Sequence, residues 1–89
     1  MTNSNPARIT LLSQDNCGFC ERAKQVLARV GVRYPLQIIE ISLDSPEGQA
    51  IAASAGILFA PGVLVDDQPF SFGRLSERKL LRALEKRAS

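Results

Sequence analysis

Apolar residues in this chain fall into short blocks whose spacing switches repeatedly between strand and helix periods. Arg8 to Ser13 is a compact run, β-branched at Ile9 and Thr10, and reads as a buried strand. From Cys17 onward Ala23, Val26, Leu27 and Val30 recur at three-and-four spacing, with Glu21, Arg22, Lys24 and Arg29 on the opposite side. That spacing predicts an amphipathic helix of about 13 residues, with Gly31 as its C-terminal cap. Leu36 to Leu43 predicts a second strand in which Ile39, Ile41 and Leu43 alternate onto one face.

Asp44-Ser45-Pro46-Glu47 opens a second helix, with a capping serine, proline at the first helical position and an acid in the first turn. Gly48 fits a helix poorly, but Ala50 to Ala55 continues it and Gly56 ends it. Pro61 to Val65 reads as a third strand and Asp66-Asp67-Gln68 as a short polar connection. Pro69 to Phe72 returns as a fourth strand, at an antiparallel edge where proline is tolerated. Ser76 caps a last helix whose buried stripe is Leu80, Leu81, Leu84 and Ala88. The order βαβ-α-ββα predicts an α/β fold with a four-stranded mixed sheet flanked by three helices, its first two strands parallel.

Composition narrows the partners. The 89 residues, 45% hydrophobic and 22% charged, suit one globular domain with a single core. A net charge of +2 and 6% aromatics offer neither a basic surface nor stacking platforms for nucleic acid. No apolar run approaches the ~18 residues a membrane helix needs. Residues 1–7 are polar and carry Pro6, which predicts a disordered lead-in rather than a signal peptide, with the domain spanning 8–89. Two closely spaced cysteines are not the staple pattern of a secreted mini-domain, so a reducing cytoplasm is the expected location.

Those cysteines carry the chemistry. Cys17-Gly18-Phe19-Cys20 contains the only two in the chain, and it falls where the strand pattern gives way to the helical one. The first sulfur lies near a helix N-terminus, where unpaired N–H groups and aligned peptide dipoles favour a thiolate. The second lies one turn along, within reach of a mixed disulfide formed by the first. Structural cysteines or half of a zinc site are the other readings. Structural zinc usually takes four protein ligands, and this chain has no histidine and no further cysteine, so no metal is expected. Of the eleven basic residues, Arg74, Arg78, Lys79, Arg82, Lys86 and Arg87 cluster near the C-terminus. They read as the solvated face of the last helix, or alternatively as a docking patch for an acidic protein.

With this motif after the first strand and this element order, the chain resembles the thioredoxin superfamily from Arg8 to Arg87. In length and spacing it is most similar to a glutaredoxin. The resemblance implies a thioredoxin-like fold and a small thiol–disulfide oxidoreductase that reduces protein or glutathione mixed disulfides, in electron transport and cell redox homeostasis. Cys17 would be the nucleophile and Cys20 the resolving thiol. No bound cofactor is implied; glutathione as co-substrate, or a thioredoxin-reductase-type reductant, would supply electrons to a monomer. Gly18 and Phe19 would contact substrate. X-Pro bonds are cis only about 5–6% of the time, yet Ala60-Pro61 falls where the family has a cis proline, which leaves the Ala60 N–H and C=O to pair with an extended substrate.

Other positions depart from the family pattern. Gln14 stands where glutaredoxins commonly have lysine, and Phe59-Ala60 where they have threonine and valine. Phe72-Gly73-Arg74-Leu75-Ser76 matches a Gly-Gly turn followed by aspartate, keeping one glycine, with Arg74 able to reach a carboxylate. Gln14, Ala60, Pro61, Gly73 and Arg74 are thus the remaining candidate contacts, with polar anchors for a tripeptide missing. The first strand also lacks the acid that thioredoxins often place beneath the resolving cysteine. Two alternatives follow. The motif differs only at its last position from the Cys-Gly-Phe-Ser of monothiol glutaredoxins, which would make this an iron–sulfur cluster carrier. A binding module with a redox-sensitive dithiol latch is the other.

Overall fold

A computed structural model describes residues 5–88. The elements are β1 (Ala7–Ser13), α1 (Gly18–Arg33), β2 (Leu36–Ser42), α2 (Pro46–Ala55), β3 (Gly62–Val65), β4 (Gln68–Phe72) and α3 (Glu77–Ala88). The strands form one sheet in the order β2-β1-β3-β4. β1 runs parallel to β2, with Ala7 opposite Leu36 and Ser13 opposite Ser42. It runs antiparallel to β3, with Ile9 opposite Val65 and Leu12 opposite Gly62. β4 is the antiparallel edge anticipated from Pro69. The expected α/β architecture, a mixed sheet with three helices, is therefore the one observed.

β1 begins one residue early. Ala7, assigned to the lead-in, is 1% exposed and donates its N–H to the Pro35 carbonyl at 3.1 Å. Residues 1–4 of that lead-in lie outside the described residues.

Two local expectations are corrected. Gly31 does not cap α1; the helix runs through it to Arg33. What ends the helix is Pro35, whose ring disfavours helical geometry at the residue before it. Tyr34 is accordingly extended, at φ −129° and ψ 133°, and its N–H closes the last turn on the Val30 carbonyl. The second correction concerns β2. Ile39 was expected on a buried face, but it and Ile38 are each 46% exposed. The strand sits at the sheet's outer edge, where it has a neighbour on one side only. Ile41 still packs inward, and Leu43 is buried just beyond the strand's end.

α2 follows its sequence signals closely. The Ser45 hydroxyl accepts the Gly48 N–H at 3.0 Å, Pro46 opens the helix and Gly56 closes it. Gly48 has a packing reason to be there: a Cβ would stand 2.0 Å from the Ser42 carbonyl oxygen, so helix and strand end approach too closely for a side chain.

Two apolar clusters hold the layers together. On one side Ile9, Leu11 and Val63 meet Ala23, Leu27 and Val30 of α1 and Leu80 and Leu84 of α3. Leu81 packs against the same cluster, whereas the Ala88 side chain lies outside the described residues. The second cluster joins Leu12 and Leu64 to Leu43, Ala52, Ile57, Ala60 and Cys20. Burying each Leu, Ile or Val of these clusters stabilises by roughly 1.5–3 kcal/mol. The second cluster carries a redox-motif residue into the interior.

Candidate active site

β1 ends at Ser13, and a three-residue turn through Asn16, which takes a positive φ of 55°, delivers Cys17 to the start of α1. Cys17 is the N-cap, extended at φ −115° and ψ 105°. Its sulfur accepts the Cys20 N–H at 3.1 Å, the role a serine or aspartate oxygen plays at most helix starts. The two cysteines have Cα atoms 5.2 Å apart and are joined as a disulfide, within the ordinary range for such a bond. Their surroundings differ sharply. Cys17 is half-buried, while Cys20 is 1% exposed within the second cluster.

Ala60-Pro61 is cis, as the resemblance implied. Ala60 belongs to the cluster that contains Cys20, and Cys17 packs against that cluster, so the fold brings these residues to one end of the sheet. Among the described residues neither the N–H nor the C=O of Ala60 has a backbone partner. Pro61 is fully buried, and its carbonyl accepts the Gly73 N–H at 2.9 Å. That bond ties the turn after β4 to the redox end.

Gly73 sits at φ +79°, and a Cβ there would lie 3.0 Å from the Phe59 ring. Phe59 in turn meets Phe72 edge-on, with centroids 4.9 Å apart. Leu58, Phe59 and Phe72 are 76%, 54% and 39% exposed, giving the site an apolar rim. Phe19 is 48% exposed, with the Arg22 guanidinium 5.9 Å above its ring. Gly18 is exposed with open space around it.

Phe19 and Arg74 line opposite sides of a cleft of about 660 Å³ between α1 and the start of α3. Gln14 is directed elsewhere: its amide donates to the Asp44 carboxylate at 3.0 Å. The structure thus gathers Cys17, Cys20, Ala60, Pro61 and Gly73, and sets Phe19 and Arg74 beside them.

Sequence reasoning left several neighbours unplaced. Phe72 and Leu58 join the rim, and Arg22, Arg29 and Lys79 join the cleft. The spacing of Phe19, Arg22, Val26 and Arg29 by three, four and three residues marks one helical face, and would have shown them together. A carboxylate does reach the end of β1, but from β2. The Ser13 hydroxyl donates to Glu40 at 2.6 Å, and the Lys24 ammonium lies 3.1 Å from the same oxygen. The hydroxyl first, then the ammonium, hold the Glu40 carboxyl below its ordinary range, and Glu40 and Glu21 raise Lys24.

A sheet of this order, with a Cys-x-x-Cys at the first helix start and a cis proline packed beside it, defines the thioredoxin-like fold. Solved structures agree. A thioredoxin point mutant from Halobacterium salinarum superposes with a TM-score of 0.73 at 21% identity, over 96% of this chain and 77% of that one. An uncharacterized thioredoxin-like protein from Clostridium perfringens gives 0.72 at 15% identity, over 94% and 72%. A malarial protein gives 0.67 at 14% identity, over 94% and 98%. No curated protein matches the chain in sequence. The glutaredoxin family profile matches residues 9–70, more than half of the chain, and the chain belongs to the glutaredoxin family. Family, fold and dithiol together support a thiol redox function.

Proposed function

We propose that this chain is a small thiol–disulfide oxidoreductase that reduces mixed disulfides of proteins or of glutathione. One observation carries the reading: the sulfur of half-buried Cys17 caps a helix, and the buried Cys20 one turn along is already within bonding reach of it. In the reduced protein the Cys17 thiolate attacks one sulfur of the substrate disulfide. A Cys17–substrate disulfide forms, and the other substrate sulfur leaves as a thiolate and takes up a proton. Cys20 then loses its proton and attacks the Cys17 sulfur, expelling the second substrate thiol. Two electrons have passed from the dithiol to the substrate, and Cys17–Cys20 is oxidised. Glutathione or a reductase returns the electrons, for which a reducing cytoplasm is a fitting setting.

The apolar rim of Leu58, Phe59 and Phe72 and the unpaired backbone of Ala60 support polypeptide substrates, which such surfaces bind by strand addition. Replacement of each cysteine tests the roles. Cys17→Ser abolishes reduction of a disulfide peptide, while Cys20→Ser accumulates the Cys17–substrate adduct, seen by mass spectrometry. Retained turnover in Cys17→Ser would refute the assignment.

A further inference from the structure

Arg22, Arg33, Arg74, Arg78, Lys79 and Arg82 have no carboxylate partner among the described residues, and three of them meet in the cleft beside Phe19. Its one carboxylate, Glu77, is already held by Arg29, whose Nε and Nη2 donate to the same oxygen at 3.0 and 2.8 Å. Arg22, Arg74 and Lys79 line the same cleft and have no carboxylate partner among the described residues. Three unneutralised cations thus converge on one cleft of a protein whose whole net charge is +2. The N-terminus of α3 opens onto it as well, through Ser76 and Glu77, and adds the positive end of a helix dipole. Phe19, between the two cysteines, forms part of the wall.

We infer that this cleft receives an acidic segment of the protein substrate, so that disulfides flanked by Asp or Glu are preferred. The inference rests on the thiol–disulfide reading above and names its substrate class. Charge complementarity identifies the chemistry: unpaired cations around a desolvating apolar wall attract carboxylates and repel basic segments. Extent favours a polypeptide. Arg74, Ser76 and Lys79 also line a second groove of about 430 Å³ that runs past Phe72 and Ile57, so the surface continues beyond one small molecule. Position fixes the register. Phe19 is two residues from Cys17, and an extended chain rises about 3.3 Å per residue, which places the favoured carboxylates a few residues from the attacked cysteine.

The test compares reduction by the dithiol-reduced protein of one disulfide peptide in three forms. These carry Glu, Gln or Lys at the positions flanking the cysteine. At low ionic strength the Glu form is expected to exceed the Gln form in kcat/KM by about tenfold, as several rim charges acting together allow. Raising salt to about 200 mM, which shortens the screening length to below ~8 Å, removes most of that preference. The combined variant Arg22→Gln, Arg74→Gln, Lys79→Gln brings the Glu-to-Gln ratio close to one. The combined variant Arg33→Gln, Arg78→Gln, Arg82→Gln removes equal charge outside the cleft and keeps the ratio.

Equal reduction of the Glu and Gln forms overturns the docking proposal while leaving the redox reading intact. Failure to reduce any form overturns the redox reading itself. If the Gln peptide carrying a glutathione mixed disulfide gains the same salt-sensitive, cleft-dependent advantage, the cleft serves the tripeptide's own carboxylates and the proposal falls.

Discussion

The two ends of the sheet are finished in opposite ways. At the Ala7 end, charges of the chain's start and of the end of α3 pair with those of the β3–β4 turn. Asp66 accepts the Arg8 N–H at 2.9 Å and the Arg87 guanidinium at 2.5 Å, and Asp67 pairs with the Arg8 side chain. Arg87 also donates to the Asn5 and Pro6 carbonyls, at 3.1 and 3.2 Å, so α3, the β3–β4 turn and the chain's start are fastened together. At the Cys17 end, aromatic rings are exposed, backbone groups at Ala60 are unpaired, and cations face an open cleft. Contiguous exposed apolar surface on a folded protein marks where a partner binds. The comparison therefore separates a fastened end, which keeps the sheet intact, from a receptive end, which does the chemistry.

Substitutions can sharpen that contrast. The largest effect belongs to the layer both ends share. Leu80 is 0% exposed between α1 and α3, and Leu80→Ala is expected to cost about 2–5 kcal/mol by chemical denaturation, chiefly through the cavity left behind. Gly73→Ala comes next. A side chain at φ +79° costs about 1–2 kcal/mol, and the Phe59 ring must also shift. Turnover falls with stability, because the Pro61 contact is disturbed. In a Phe59→Ala background the steric part disappears and only the backbone part remains. If the two losses are equal, the ring is not what Gly73 accommodates.

At the fastened end, Asp66→Asn is expected to lower stability by less than about 1 kcal/mol, since the pairs are partly solvated. Turnover on a small neutral disulfide stays unchanged. A large drop in turnover would erase the distinction between the ends.

The smallest effect is a pH dependence. The Arg8 N–H first, then Arg87, hold the Asp66 carboxyl below its ordinary 3.8, and Glu40 lies below its ordinary 4.5. A depressed carboxyl contributes stability that is fully present above its unfolded value and is lost as pH falls through its folded value. Stability should therefore hold at neutral pH and decline as pH falls below about 4.5, first through Glu40 and then through Asp66. Asp66→Asn flattens part of that decline, measured as the denaturation midpoint against pH.

How legible these ends were differs as well. Ser45-Pro46, Gly56, Asp66-Asp67 and Pro69 state their local geometry directly, because capping and turn chemistry act within a few residues. Gly31 is a poor guide to the end of α1, because Pro35, whose steric reach is one residue backward, decides the last helical position. Ile39 misled because alternation shows that a strand has faces, and not whether its edge is covered. The cysteine pair and the cis proline were readable, the first from spacing and the second only through family resemblance. The cleft was legible in part: Arg74 and Lys79 stand out in the basic cluster near the C-terminus, but Arg22 lies far from them in the chain and meets them only once α3 packs against α1.

The central claim is the division of labour between the two sulfurs, and it can be measured directly. Treat the reduced, folded protein with limiting iodoacetamide at neutral pH and locate the label by peptide mass spectrometry. The account predicts alkylation at Cys17 alone, with Cys20 reacting only after denaturation. Equal labelling of both sulfurs, or labelling of Cys20 first, would contradict it.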